Sequence, residues 1–102
     1  MDEQWQYFIT EHPLYGKKHK FEKFLEIHAN DCEGMNENFG RNFRHIIEKK
    51  QINPVMASKW FMFNEGFMVA FYQGYAPKGE TLEKLASTFE VDAEQLVHGV
   101  IE

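Results

Sequence analysis

His28 and Cys32 stand four residues apart, a spacing that puts both on one face of a helix, and His12 and His19 precede them. Imidazole and thiolate so spaced are the raw material of a zinc site. Structural zinc takes four ligands in short paired spacings, however, and this chain holds one cysteine and no paired motif. The residues therefore read as no metal centre. Nor do they read as an enzyme. The 7 glycines are scattered, so no loop cradles a phosphate. Cys32, His45 and His98 have no nucleophile–base constellation beside them in the sequence. No cofactor is expected. A lone cysteine forms no internal disulfide, which suits a reducing, cytoplasmic setting.

The other available chemistry is charge against phosphate. Lys17, Lys18, Lys20 and Lys23 cluster near the start, and Arg41, Arg44, Lys49 and Lys50 lie along one later segment. Nucleic-acid binders draw much of their affinity from such groups. The whole chain nevertheless carries a formal charge of -5. Residues 1–38 hold 4 Lys and 8 Asp/Glu, and residues 39–102 hold 7 Lys/Arg and 8 Asp/Glu. No general basic excess exists, so any phosphate contact must come from a local patch.

These groups have to be positioned by something, and 102 residues suffice for one domain with one core. Hydrophobic content is 43%, aromatic content 16%, and 10 residues are Phe, so large rings must fill the core or an interface. No apolar run approaches the ~20 residues of a membrane span. The acidic, polar opening Met1-Asp2-Glu3-Gln4 does not read as a secretory signal.

Helical periodicity dominates, and no segment alternates with period two. Residues 5–15, rich in aromatics and interrupted by Pro13, read as an irregular arm or short helical turn. Phe21, Phe24, Leu25 and His28 make one stripe of a helix over 17–30, and residues 31–38 read as a loop. From residue 39 the spacing predicts five helices. Phe39, Phe43, Ile46 and Ile47 line the first of them. Asn53-Pro54 opens the second, because Asn caps and Pro suits the first turn. Asn64 opens the third, which Gly74 ends. Leu82, Leu85, Ala86 and Phe89 mark the fourth, and Asp92 with Gln95 starts the last.

The stretch from Phe39 to Ile101 resembles the lambda-repressor/Cro-like (Xre-type) helix-turn-helix family. The resemblance rests on Ala57-Ser58 in the second helix, Phe63 after the turn, and Met68 and Phe71 at buried positions of the third helix. Gly74 and the ending Leu82, Leu85-Ala86, Phe89-Glu90-Val91 and Leu96 complete it. The turn glycine of the family is Met62 here. The resemblance implies an all-α protein: a five-helix bundle over residues 39–102, with residues 1–38 as an N-terminal arm and helix that could serve dimerisation. It implies a small, phage- or mobile-element-like transcriptional regulator that binds operator DNA as a homodimer, with the third helix in the major groove. The implied groove-facing residues are Glu65, Phe67, Ala70 and Gln73, with Lys59 and Lys78 on phosphates.

A second expectation stays open beside it. The run Trp60–Tyr72, WFMFNEGFMVAFY, is apolar almost throughout, and a small bundle buries one face of each helix rather than all. Either the surplus apolar surface meets another protein, centred on Phe67, Val69 and Tyr72, or it forms a dimer core, or it belongs to a generous hydrophobic core with the N-terminal helix packed over it. In the first case the chain is an adaptor, antirepressor or inhibitor.

Overall fold

The segment expected to be an irregular arm is a regular helix. In the computed structural model, which describes residues 3–60 and 65–101, α1 spans Glu3–Glu11. Its Trp5, Phe8 and Ile9 follow i, i+3, i+4, so the aromatics of the arm form one inward stripe. Trp5 is wholly buried. Its indole Nε1–H donates to the Ile52 carbonyl at 2.6 Å, and its ring stacks on Tyr72 at 5.5 Å and meets Phe43 edge-on. The N-terminal segment therefore shares one core with the helices that follow it.

Helix α2 (Lys18–Ile27) lies where the stripe placed it. Strand β1 (Cys32–Met35) then replaces the expected loop and pairs antiparallel with β2 (Tyr75–Pro77), Cys32 opposite Pro77 and Met35 opposite Tyr75. Among the described residues the fold is thus mostly helical, compatible with an all-α class, with one two-stranded sheet beside the helices. Four- and three-residue strands are too short to show an alternation, which is why the sequence pattern missed them.

Five helices follow β1: α3 (Glu37–Lys49), α4 (Pro54–Trp60), α5 (Glu65–Gln73), α6 (Gly79–Phe89) and α7 (Ala93–His98). The local signals act as their chemistry dictates. Asn53 Oδ1 accepts from the backbone N–H of Val55 and Met56 at the start of α4. Asp92 does the same for Glu94 and Gln95 in α7. The expected cap at Asn64 lies outside the described residues.

Helix α3 organises the rest through its polar side chains. The Asn42 amide nitrogen lies 2.9–3.2 Å from the carbonyls of Gln95, Leu96 and Gly99, and its Oδ1 accepts from Ile101 N–H. Asn36 and Asn38 donate to the carbonyls of Val97 and Gly99. These bonds supply donors to the carbonyls at the end of α7, where intrahelical donors run out, and the Gln95 carbonyl also accepts from Gly99 N–H. The cations join in. Arg41 donates to Asn38 and Gly99, Arg44 to the Tyr72 carbonyl at 2.7 Å near the end of α5, and Lys50 to the Phe89 carbonyl at 2.9 Å at the end of α6. Each positive charge sits where a helix presents its negative end.

The crossing of α3 by the end of α5 depends on two glycines. A Cβ on Gly40 would come within 2.8 Å of the Gly74 Cα. Gly74 itself has φ +104, a conformation that favours glycine. The Gly74 carbonyl then accepts from Asn36 N–H at 2.7 Å, and the chain runs directly into β2.

Candidate interaction surface

Every residue of α5 from Gly66 to Phe71 is buried. Its composition accounts for this, because a helix that is apolar all round has no face to give to water. The Phe67 ring packs between Phe24 (5.4 Å) and His28 (4.7 Å) of the α2 segment, and meets Phe71 within α5. Tyr72 is covered by the Trp5 ring, and its hydroxyl accepts from Gln6 Nε2 at 3.2 Å. The N-terminal helix packed over the core is what the structure contains.

The residues proposed from the sequence therefore separate. Phe67, at 7% exposure, and Val69 and Ala70, at 0%, are core residues. Phe24 and His28 pack on Phe67, and Trp5 stacks on Tyr72, so the N-terminal helices meet two of the residues at which groove or partner contacts are expected. Tyr72 is half-buried under Trp5. Gln73 is half-buried too, and its Nε2 is buried without a hydrogen-bond partner. Lys59, Glu65 and Lys78 are exposed. Lys59 and Glu65 line one surface hollow. Lys78 instead precedes α6, its N–H donating to the Asp31 carbonyl. The six residues do not form one DNA-facing surface. Arg41 and Arg44 are committed to carbonyls, as described above.

What the surface offers lies elsewhere. Between α1 and the start of α4 is a hollow of about 380 Å³, walled by Tyr7, Phe8, Pro13, Pro54 and Val55. Gln4, Glu11, His12, Asn53 and Glu65 supply its polar groups. It adjoins a second hollow that shares His12, Pro13, Val55 and Glu65 and extends to Ser58 and Lys59. Tyr7 is 70% exposed at its rim, and Val55 is about half exposed. His12 is fixed by accepting the Leu14 N–H on Nδ1 at 3.1 Å. Burial holds its imidazole below the ordinary value, while Glu65 pulls the other way.

No family model matches the chain, and neither the curated proteins nor the solved structures yield a match. The helix-turn-helix resemblance rests on this chain's own residues.

Two other groups complete the chemistry on hand. Cys32 is buried in β1, and burial first, then Asp31, pushes its thiol up to about 11, with Lys78 opposing. A thiol held protonated is a poor nucleophile and a poor metal ligand. His28 approaches Asp31 at 4.0 Å while its ring packs on Phe24 and Phe67. Among the described residues, no helix is long and apolar enough to cross a membrane.

The α1–α4 surface was absent from the sequence reading, although a signal for it existed. Placing residues 3–11 on a helical wheel turns Trp5 and Ile9 inward and leaves Tyr7 outward with Gln4 and Glu11.

Proposed function

We propose that this chain acts by binding another protein, as an adaptor, antirepressor or inhibitor of helix-turn-helix type, and not by reading bases through its third helix. The observation that carries the reading is the burial of α5 from Gly66 to Phe71, with Phe24 and His28 packed on Phe67 and Trp5 stacked on the adjoining Tyr72. A helix enters the major groove with side chains on its outward face, and here that face is spent on Phe24, His28 and Trp5. The charge balance of -5 and the engagement of Arg41, Arg44 and Lys50 with helix ends point the same way.

Fluorescence anisotropy with a mixed pool of duplex DNA tests this, at about 50 mM and about 200 mM salt, where phosphate contacts make affinity fall steeply. No binding at micromolar protein is expected. Binding at the lower salt that collapses at the higher one would restore the operator-binding regulator that the resemblance implies.

A further inference from the structure

Resting on that reading, we infer that the α1–α4 hollow is the docking site, and that its occupant is an amphipathic segment of a partner protein carrying apolar anchors flanked by Lys or Arg. Three features select this occupant. The walls are apolar, from Tyr7, Phe8, Pro54 and Val55, in a concavity of about 380 Å³, which lies within the usual size of a binding pocket. The exposed tops of Tyr7 and Val55, which line the hollow, extend that apolar surface beyond it. A large aromatic at a rim is a residue type that anchors interfaces.

The third feature is charge. Glu11 and Glu65 line the hollow, and no Lys or Arg does so among the described residues. Helix α1 has acidic residues at both ends, Glu3 and Glu11, and no basic residue along its length. An apolar strip bordered by carboxylates accepts a strip bordered by cations and repels one bordered by acids. The same feature disfavours a second copy of this chain, because pairing α1 with its own image sets Glu3 and Glu11 against each other. Lys59 belongs to the adjoining hollow, so the acidic character is strongest on the α1 side.

The probe is a labelled helical peptide of about 14 residues built only of Leu and Lys, with Leu at i, i+3, i+4 spacing so that one face is apolar. Its twin has Glu in place of every Lys. Both are titrated by anisotropy against the full chain and against Tyr7→Asp, Val55→Asp and Ile27→Asp, whose folds are checked by circular dichroism. All three positions are exposed, with Ile27 lying on α2. The expected result is binding of the Lys peptide only, weakened about tenfold or more by Tyr7→Asp and by Val55→Asp, the loss typical of a central anchor. Ile27→Asp leaves it unchanged. Equal binding of the Glu peptide, equal loss in Ile27→Asp, or indifference to Tyr7→Asp and Val55→Asp each overturns the site. Concentration-dependent dimerisation abolished by Tyr7→Asp would give the hollow to a second copy and overturn the proposed occupant. These outcomes bear on the hollow alone, whereas salt-sensitive duplex binding bears on the protein-binding reading itself.

Discussion

Helices α1 and α5 have nine residues each and both are rich in large rings, yet they relate to solvent in opposite ways. Helix α5, EGFMVAFYQ, has apolar residues on every side, and the chain wraps it. Helix α1, EQWQYFITE, buries Trp5 and Ile9 and leaves Tyr7 in water. The difference teaches that hydrophobic content and availability for binding run in opposite directions here. A helix too apolar to have an outer face becomes core. The helix that meets its Tyr72 through Trp5 and Gln6 keeps a face for solvent.

The sharpest way to break this comparison is to put a charge on each helix. Phe67→Asp should cost about 4 kcal/mol, because it removes a ring packed against Phe24, His28 and Phe71 and puts a charge in its buried place. Tyr7→Asp should stay within about 0.5 kcal/mol, as exposed substitutions usually do. Urea denaturation of the two variants reads both values, and a mild Phe67→Asp would mean that the α5 face is open. A smaller effect sharpens the role of α1 as a cover. Trp5→Phe keeps an aromatic ring over Tyr72 and Phe43 but removes the indole donor. The buried Ile52 carbonyl is then left without its bond, a loss of about 1–3 kcal/mol. An unchanged denaturation midpoint would show that α1 is not fastened to the core through that bond.

Much of the framework was legible because its signals are local. Asn53 and Asp92 cap helices from the positions their side chains dictate, and Gly74 ends α5 with the positive φ that glycine favours. The stripe of Phe39, Phe43, Ile46 and Ile47 announced α3 by spacing alone, and these residues are all buried. What stayed hidden depends on partners distant in sequence. Cys32 pairs with Pro77 across a sheet whose strands are too short to alternate. Trp5 finds Ile52 and Tyr72 through the tertiary fold. Arg41 and Arg44 look like phosphate ligands in a sequence, and only the packing of α3 shows them bound to the ends of α7 and α5.

The burial of Phe67, Val69 and Ala70 was hidden for a related reason. Assigning Phe67, Val69 and Ala70 to an outward face assumed that residues 39–102 fold with nothing over α5. The thirty-eight residues before them include the rings that cover it, Trp5 and Phe24.

The most direct measurement compares thiol labelling at two engineered positions, Ala70→Cys and Tyr7→Cys, each in a Cys32→Ala background. Ala70 is fully buried in α5 and Tyr7 is exposed on α1. The expected result is rapid labelling at position 7 and labelling at position 70 slower by about a hundredfold or more, limited by opening of the fold. Comparable rates at the two positions would contradict the burial of α5 and return the candidate contact surface to the third helix.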